Sequence, residues 1–359
     1  MSLIGRLTAS VSITTMALAK NCASFEFSEI FMRASRVIRS DLKGSAMGLE
    51  NIKRVGVVGS GLMGHGIALA FALGGYPTIM SDLGEDALKE GMSKAKATAR
   101  LFVHEGLVTP DQAEKAIQRI TTTTELEQLA VNSDFVTEAI VDRSHDKREL
   151  FNRLDELCPP HTIITSNTSS LVLSDFASDV RRQDKIALTH YFAPPAIVPG
   201  VEVAKGPGTS DETFETTCAL MVGIKHVPIR VLKELPGYLL NRIQGAMRNE
   251  AYRLWAEGVA TAEDIDLGIR STFGFRMPQE GPMMHYDVAG IWRWPKDVRL
   301  APSAGLELGT EASEKIRQRL EEGTPWFGTP ESIEASGEER DRTYLRRLKD
   351  QYWSGEPGE

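Results

Sequence analysis

The hydrophobic pattern of the chain predicts short buried strands that alternate with helices. The runs that predict strands cover residues 55–58, 78–80, 134–137, 162–165, 185–192, 201–204 and 225–232. Polar and apolar residues between these runs recur with a helical period, most clearly over Glu85–His104, and Thr109-Pro110 is typical of the start of the next helix. Strands that alternate with helices favour a parallel sheet with right-handed crossovers. The predicted fold class is therefore α/β, with a Rossmann-type, doubly wound and mainly parallel sheet.

Pro236-Gly237 marks a change to a purely helical pattern. Apolar residues then recur at helical spacing up to Gly258, Thr261 is placed to cap a further helix, and Pro282 can open another. The apolar positions of the first of these helices are Leu239, Ile243, Met247, Ala251 and Leu254. We therefore predict four segments: an N-terminal extension over 1–50, the α/β domain over 51–233, a smaller all-helical domain over 234–330, and a charged C-terminal helix and tail over 331–359.

A glycine-rich turn, Gly59-Ser60-Gly61-Leu62-Met63-Gly64, separates the first predicted strand from the first helix. Glycines at this spacing allow a tight turn, a close approach of the backbone to a pyrophosphate, and packing of the helix on the strand. The phosphates would lie at the helix N-terminus, where free N–H groups and the helix dipole favour negative charge. Asp82 follows the second strand and can accept hydrogen bonds from both ribose hydroxyls, while its charge would repel the additional phosphate of NADP. The motif predicts an NAD site in this domain, and the alternative is an ordinary glycine-rich turn.

Composition excludes several other classes of protein. A length of 359 residues leaves room for two domains, and 42% apolar with 25% charged residues is typical of a soluble globular protein. The net charge of −8 does not favour a nucleic-acid partner, and no apolar run reaches the roughly 18 residues that span a bilayer. Cys22, Cys158 and Cys218 are scattered along the chain, which favours reduced thiols over disulfides or a metal site, and no metal is expected.

The first 46 residues contribute nothing to the glycine-rich unit. Residues 1–22 contain no acidic residue, carry Arg6 and Lys20, and are rich in Ser and Thr, a composition typical of an organelle transit peptide. The interpretation that we favour is a disordered tail or an over-extended start. The predicted location is therefore the cytoplasm, with an organelle matrix as the alternative.

His190 and Glu202 are the first candidate catalytic pair. His190 ends a strand at the carboxyl edge of the sheet, where open α/β folds bind their ligands. Glu202 lies between valines in the next strand, after a Pro194-Pro195 turn, and a carboxylate in such a strand needs a partner. The turn and the returning strand can bring Glu202 to the imidazole of His190. The carboxylate would then fix the tautomer and stabilise the imidazolium, so that the imidazole can act as a general base.

Ser169 and Asn241 are candidates for contact with the substrate. Ser169 lies in a hydroxyl-rich segment after a predicted strand, and Asn241 lies on the first helix of the helical domain. Taken singly, each of these four residues has an ordinary structural explanation, such as a helix cap or an exposed polar side chain. Together, behind a dinucleotide motif, they fit the removal of a hydroxyl proton while hydride leaves the same carbon.

These segments resemble the 3-hydroxyacyl-CoA dehydrogenases and their relatives that act on smaller acids. The likeness covers about residues 52–291, roughly two-thirds of the chain. It rests on segments that occur in the family's order: the glycine-rich turn, Thr137-Glu138-Ala139-Ile140-Val141, Ser166-Asn167-Thr168-Ser169-Ser170, His190-Tyr191-Phe192, Val201-Glu202-Val203, Pro236-Gly237-Tyr238-Leu239-Leu240-Asn241-Arg242 and Asp264-Ile265-Asp266.

The resemblance implies an NAD-dependent enzyme of fatty acid metabolism in which His190 is the general base and Glu202 its orienting partner. It assigns Ser169 and Asn241 to the region of the substrate oxygen and the nicotinamide. Glu138, with Ala139, is assigned to the cofactor side. The helical domain of this family usually forms the dimer, so a homodimer is expected.

Two departures from the family pattern bear on the substrate. Ala193 precedes Pro194 where the family usually has Asn, so a hydrogen bond near the nicotinamide is lost or rerouted. By spacing, Glu105 falls near the place of a Lys that contacts CoA in the acyl-CoA enzymes, and an acid there would repel the phosphates of CoA. The prolines at 194, 195 and 199 also resemble the branch of the family that acts on sugar acids, carnitine and pyridine carboxylates.

The leading hypothesis is NAD-dependent oxidation of a (S)-3-hydroxyacyl-CoA to the 3-oxo product. The first alternative is a dehydrogenase of a small non-CoA substrate on the same fold, and the second is a non-catalytic NAD-binding protein. A decarboxylating enzyme that uses a Lys as acid and base is disfavoured, because the segment around Asn241 supplies Asn and Arg instead.

Overall fold

An eight-stranded sheet forms the framework of the first part of the chain. The structure, a computed structural model, describes residues 49–299, 310–335 and 337–352. The strands are β1 Val55–Val58, β2 Thr78–Ser81, β3 Ile120–Thr123, β4 Phe135–Glu138, β5 Ile163–Ser166, β6 Ile186–Tyr191, β7 Gly200–Ala204 and β8 Val227–Val231. Their order in the sheet is β3-β2-β1-β4-β5-β6-β7-β8, and every neighbouring pair is parallel except β6 and β7. The sheet confirms the predicted fold class, a doubly wound and mainly parallel α/β sheet.

Seven helices pack among these strands, and an eighth follows the last strand. They are α1 Gly64–Leu73, α2 Glu85–His104, α3 Pro110–Gln118, α4 Leu126–Val131, α5 Ser144–Leu157, α6 Leu173–Phe176, α7 Asp211–Gly223 and α8 Leu240–Ala256. The cap predicted for α3 is confirmed, because Thr109 Oγ1 accepts a hydrogen bond from the N–H of Gln112 at 3.2 Å. The Gln112 side chain accepts in return from the N–H of Thr109 at 2.8 Å, which completes a capping box.

Two hydrophobic clusters lie on opposite faces of the sheet. Val55 and Val57 of β1 belong to one cluster, together with α1, and Val58 belongs to the other. This division follows from the alternation of side chains along a strand. Helices therefore cover both faces, and the strand ends are left as the open edges where a ligand can bind.

The sequence pattern did not predict β3, which is the edge strand of the sheet. Only Ile120 and Thr123 of this strand are buried, while Thr121 and Thr122 are exposed. A short edge strand with three threonines and a single apolar residue carries no apolar run to mark it. It pairs in parallel with β2, so that Ser81, the last residue of β2, lies opposite Thr123.

The hairpin of β6 and β7 places His190 directly opposite Glu202. The connecting loop contains a cis peptide bond between Ala193 and Pro194. This antiparallel return confirms the sequence argument that a proline turn brings the carboxylate to the imidazole. The pair lies on two buried strands.

The chain forms two compact units, of which the first extends to Ala246 and the second begins at Met247, within α8. The second unit is helical throughout the part that the structure describes. Its further helices are α9 Ala262–Ser271, α10 Phe273–Arg276, α11 Pro282–Val288, α12 Lys296–Arg299, α13 Thr310–Glu321, α14 Pro330–Ala335 and α15 Gly337–Tyr352. Thr261 caps α9 as predicted, since its hydroxyl accepts from the N–H of Asp264 at 3.0 Å.

Within the second unit, Asp287 is fully buried and holds a returning segment of chain. Its two oxygens accept hydrogen bonds from the N–H groups of Trp326 and Phe327 at 2.7 and 2.8 Å. The predicted N-terminal extension lies outside the described residues except for its last two positions. Cys22 and the part of the predicted C-terminal tail beyond residue 352 also lie outside them. Among the helices that are described, none has both the length and the apolar character to cross a membrane.

Candidate active site

The glycine-rich turn between β1 and α1 uses its glycines in different ways. Gly59 has a φ of +99°, and a Cβ at this position would lie 2.6 Å from the carbonyl oxygen of Ala139. A Cβ on Gly64 would collide with the backbone of Gly59, so this glycine permits close packing of the helix. A Cβ on Gly61 would meet no atom of the described structure within 4 Å. Gly61 therefore leaves space for a ligand rather than for the protein, as a pyrophosphate site requires. The exposed side chain of Leu62 and the half-buried Met63 complete the turn.

Asp82 anchors this turn from the end of β2. Its Oδ2 accepts hydrogen bonds from the N–H and the hydroxyl of Ser60, both at 2.7 Å. The Oδ1 atom accepts from the N–H of Leu83 at 2.8 Å. The carboxylate is thus held beside the turn, in the position in which dinucleotide-binding folds use it to bind ribose hydroxyls.

Glu138 is completely buried and forms an ion pair with Lys147, a residue that the sequence pattern did not indicate. Its Oε1 lies 2.5 Å from Lys147 Nζ, and its Oε2 accepts a hydrogen bond from the hydroxyl of Ser166 at 2.6 Å. Burial raises the pKa of Glu138 above its ordinary value, while the Lys147 ammonium and the hydrogen bonds from Ser166 and Ile140 oppose that rise.

Lys147 also lies 3.2 Å from Asp142 Oδ1, although the lysine side chain is only 1% exposed. Burial raises the pKa of Asp142, but the charge of Lys147 and the hydrogen bonds of its neighbours outweigh burial and hold the value below the ordinary one. Asp142 is half-exposed and Glu138 is buried, so the three groups run from the interior towards the carboxyl edge of the sheet. Lys147 could not be found from sequence because the start of α5 carries several ordinary polar residues.

His190 and Glu202 form a buried hydrogen-bonded pair in which the imidazole donates and the carboxylate accepts. His190 Nδ1 lies 2.7 Å from Glu202 Oε2, and the carboxylate is fully buried. Glu202 Oε1 accepts two further hydrogen bonds, from the N–H groups of Leu239 and Leu240 at 2.9 and 2.7 Å. These donors lie at the start of α8, where free N–H groups favour a negative charge. A carboxylate can only accept, so Nδ1 carries the proton and Nε2 keeps a lone pair.

Two aromatic rings hold the imidazole in place. The ring of Phe192 lies 4.5 Å from that of His190, and the ring of Tyr238 lies 6.3 Å from it. His190 itself is 4% exposed. The imidazole is therefore fixed in orientation and available as a base at Nε2 alone.

Ser169 and Asn241 are brought together by a direct contact. Asn241 Nδ2 donates to the carbonyl oxygen of Ser169 at 3.3 Å. The segment that carries Ser169 is also bound to β6, since the side-chain oxygen of Asn167 accepts from the N–H of Tyr191 at 2.9 Å. Asp142 Oδ2 accepts from the N–H of Ser169 at 3.3 Å, so the same loop is tied to the cofactor side of the site.

Ala193 and Glu105, the two departures from the family pattern, lie on different parts of the first unit. Ala193 lies in the loop after β6 and supplies no polar side chain. Glu105 follows α2, and its exposed carboxylate lies 2.9 Å from Nδ1 of the exposed His104. The negative charge of Glu105 would repel an anionic phosphate that binds at the end of α2.

Comparison with known proteins gives a consistent result over most of the chain. Residues 54–235 match the family model described as 3-hydroxyacyl-CoA dehydrogenase, NAD binding domain, and residues 237–319 match its C-terminal domain. The chain is 37% identical over 245 residues to the mitochondrial hydroxyacyl-coenzyme A dehydrogenase of Homo sapiens, an alignment that covers 67% of this chain and 77% of the human protein. These matches confirm the resemblance inferred from the motifs, and the NAD binding domain confirms the predicted cofactor.

Two solved structures show the same architecture. The 3-hydroxybutyryl-CoA dehydrogenase of Escherichia coli K12 aligns with a TM-score of 0.60 and 33% identity, over 70% of this chain and 51% of that one. A 5-formyl-3-hydroxy-2-methylpyridine 4-carboxylic acid 5-dehydrogenase, an NAD⁺-dependent dismutase, aligns with a TM-score of 0.64 and 25% identity. This second alignment covers 84% of this chain and 99% of the other.

Proposed function

The chain belongs to the 3-hydroxyacyl-CoA dehydrogenase family, and we propose that it oxidises the hydroxyl-bearing carbon of a (S)-3-hydroxyacyl-CoA to the 3-oxo product. The reaction belongs to the oxidoreductases that act on CH–OH groups and use NAD. Such a substrate would place the enzyme in fatty acid metabolism. The observation that carries the proposal is the buried contact of 2.7 Å between His190 Nδ1 and Glu202 Oε2.

The hydrogen-bond polarity of this pair gives each residue a role. His190 Nε2 removes the proton of the substrate hydroxyl, and the imidazolium that forms is stabilised by the negative charge of Glu202. The N–H groups of Leu239 and Leu240 bind Oε1 of Glu202 and hold the carboxylate in its orientation towards His190. Ser169 and Asn241 lie together and hold the oxygen from which the proton departs.

The cofactor side of the site has donors and space that fit NAD. The turn of Gly59, Ser60, Gly61, Leu62, Met63 and Gly64 would hold the diphosphate, because Gly61 leaves open space and the N-terminus of α1 presents free N–H groups. Asp82 would bind the ribose hydroxyls of the adenosine. Glu138 and Ala139 would lie on the nicotinamide side, where Lys147 holds Glu138 in place and Asp142 is the accessible polar group. When bound, NAD accepts the hydride from the carbon that carries the hydroxyl.

Replacement of His190 by Gln tests the proposal directly. In His190→Gln, turnover followed at the NADH absorbance should fall by about 10²- to 10⁴-fold, because Gln cannot take a proton. The dissociation constant for NAD, measured by calorimetry, should stay within about twofold of the wild type, since Gln keeps a neutral polar side chain.

His161→Gln is the matched control for this experiment. His161 is also a histidine paired with a carboxylate, Asp134 at 2.8 Å, but it precedes β5 at the opposite edge of the sheet and is 55% exposed. It should keep wild-type turnover. A His190→Gln enzyme as active as the wild type would remove the assignment of the base. A wild-type protein that binds NAD but turns over neither acyl-CoA nor free hydroxy-acid substrates would favour a non-catalytic NAD-binding protein.

A dehydrogenase of a small non-CoA substrate is the second candidate, and two observations favour it. By spacing, Glu105, whose carboxylate is exposed, falls near the place of the Lys that contacts CoA in the family's acyl-CoA enzymes. The pyridine-carboxylate dehydrogenase aligns over 84% of this chain, against 70% for the 3-hydroxybutyryl-CoA dehydrogenase. A panel of acyl-CoA and free-acid substrates separates the two candidates. Turnover of free acids alone would favour the second.

We also propose that the protein acts as a homodimer in a reducing compartment, with the cytoplasm as the first choice. Helices α8 and α9 are without a buried side chain in the described structure, and they carry large apolar residues on their surfaces. Cys158 and Cys218 are buried free thiols, and burial raises the pKa of each to about 12, which makes them unreactive. Free thiols of this kind are typical of a reducing environment.

A further inference from the structure

The loop between β6 and β7 has few backbone donors of its own. Pro194, Pro195 and Pro199 carry no N–H group, so this loop must be held largely through its carbonyl oxygens. The oxygen of Pro194 accepts from the N–H groups of Ile197 and Val198, both at 2.9 Å. At the far end, the oxygen of Pro199 accepts from an N–H of the strand that follows α7, at 2.7 Å.

The carbonyl oxygen of Pro195 is held by a buried imidazole. His226 is 5% exposed, and its Nε2 lies 2.9 Å from the oxygen of Pro195. Its Nδ1 lies 3.2 Å from the oxygen of Ile224, two residues earlier. A carbonyl oxygen can only accept, and a neutral imidazole has one N–H to donate. We assign the hydrogen bond to the shorter contact, so that Nε2–H of His226 donates to Pro195.

The end of α7 brings His226 to this position. Lys225 has a φ of +64°, in the left-handed region, which reverses the chain directly after the helix. The N–H of His226 then donates to the oxygen of Met221 at 2.9 Å. The imidazole packs edge-on against the ring of Tyr191, with 5.7 Å between the ring centroids. His226 thus contacts both the residue after His190 and the loop that follows it.

Pro195 also presses on the helix that begins at the glycine-rich turn. A Cβ on Gly66 of α1 would lie 2.6 Å from Pro195 Cγ and 3.1 Å from its Cδ, so the loop and the helix are in close contact. The position of Pro195 therefore sets the gap between the strand that carries His190 and the helix that would hold the diphosphate. Ala193 offers no side-chain hydrogen bond to fix this loop from the side of the site.

We propose that His226 is a positioning residue that fixes the Pro194-Pro195 loop against α1 through its hydrogen bond to Pro195. In this way it sets the position of the cofactor relative to His190. The proposal rests on the proposed function for its catalytic consequence, but its effect on cofactor affinity can be measured without any substrate.

Two variants of His226 separate the hydrogen bond from the packing. His226→Phe keeps a planar ring against Tyr191 but removes the donor, whereas His226→Gln keeps an amide N–H that can reach Pro195. In His226→Phe the dissociation constant for NAD should rise about tenfold, the effect of one lost hydrogen bond to a buried acceptor. In His226→Gln it should stay within about threefold of the wild type. The variant His161→Phe, at the opposite edge of the sheet, should leave NAD affinity unchanged.

Thermal unfolding and turnover complete the test. We expect kcat to fall in His226→Phe and to recover in His226→Gln, with the two melting temperatures similar to each other. NAD affinity that is unchanged in both variants would overturn the proposal, and so would an equal loss in both, which indicates a packing role. If the wild type turns over no tested substrate, the proposed function fails, and the NAD dissociation constants of the two variants still decide the role of His226.

Discussion

At the scale of single residues, Gly61 and Gly64 differ in what would occupy the space of a side chain. A Cβ on Gly64 would lie 2.7 Å from the carbonyl carbon of Gly59, whereas a Cβ on Gly61 would meet nothing within 4 Å. Gly64 is therefore required by the fold. We propose that Gly61 serves the ligand instead, because a methyl group there would occupy the space that a diphosphate needs.

This difference predicts opposite effects of two alanine substitutions. Gly61→Ala should change the free energy of unfolding by less than about 0.5 kcal/mol, as for a surface change without new contacts. It should nevertheless raise the KM for NAD by about tenfold or more, because the backbone can no longer approach the diphosphate. Gly64→Ala should destabilise the fold by about 1–3 kcal/mol or more through overpacking. Urea unfolding and NAD titration of both variants check this, and a stable Gly64→Ala protein or full NAD affinity in Gly61→Ala would contradict it.

The same scale shows which site residues a sequence can identify. Glu202 stands out because a carboxylate between valines in a strand needs a partner, and His190 stands out because it lies near the end of the preceding strand. Lys147 and His226 carry no such mark, since each becomes significant only through the groups that the fold brings to it. A functional polar residue is therefore visible in the sequence when it interrupts an apolar pattern, but not when it lies in a polar helix or loop.

At the scale of elements, the turn from β4 to α5 combines two acids with one lysine. Lys147 lies on the first turn of α5 and contacts Glu138, at the end of β4, and Asp142, in the connecting loop. The pKa of Asp142 lies below its ordinary value, so the ionised form is the one that the folded turn favours. A depressed carboxyl pKa contributes stability above the unfolded value, about 3.9, and this contribution is lost as the pH falls through the folded pKa.

The turn therefore predicts a pH-dependent effect of Asp142→Asn. The substitution should lower the free energy of unfolding by a constant amount between about pH 5 and pH 8, and the difference from the wild type should shrink below about pH 4. Urea unfolding at pH 7, 5 and 3.5 measures this difference. Glu138 is present in both proteins, so its own contribution to the pH dependence largely cancels. Asp111→Asn, which breaks an exposed ion pair with Lys115 on α3, should change stability by about 0.5 kcal/mol or less. A difference for Asp142→Asn that stays unchanged at pH 3.5 would contradict the assigned direction.

Elements were predictable from sequence where burial is continuous or where a cap is marked. The buried strands from β1 to β8 are visible as apolar runs, with β3 as the exception because half of its residues face solvent. The charged C-terminal segment was predicted as one exposed helix and a tail, but the structure has two helices there, the short α14 and the longer α15. Helix α15 is not exposed on every side, because Thr343 is buried and Arg347 donates to the oxygen of Phe275 at 2.6 Å. Contacts between distant segments of a polar chain leave no periodic signal, so this packing could not be predicted.

At the scale of the whole molecule, all the candidate catalytic residues belong to the first compact unit. His190, Glu202, Ser169 and Asn241 precede the division at Ala246, and the contacts among them are made within that unit. The described part of the second unit carries none of the residues proposed for proton removal. We propose that this unit contributes to substrate selection and to assembly.

The surfaces of α8 and α9 predict how the molecule assembles. Ile243, Met247, Trp255 and Leu267 are between 39% and 60% exposed, although large apolar side chains spaced along a helix normally face a core. Large apolar side chains that are exposed to this extent are typical of an interface between protein chains. Light scattering after gel filtration should therefore give twice the chain mass of 39.5 kDa.

Charge placed on this surface should separate the protomers. The double variant Ile243→Glu with Trp255→Glu should elute at the monomer mass, because a dimer would bury unpaired carboxylates. Val131→Glu is the control: Val131 is similarly exposed, at 48%, but lies at the end of α4 in the first unit, and the variant should remain dimeric. NAD affinity should persist in the monomeric variant, because every residue proposed to hold the cofactor lies before Ala246. A wild-type protein that is monomeric at micromolar concentration would contradict the assembly, and the apolar faces of α8 and α9 would then need another partner.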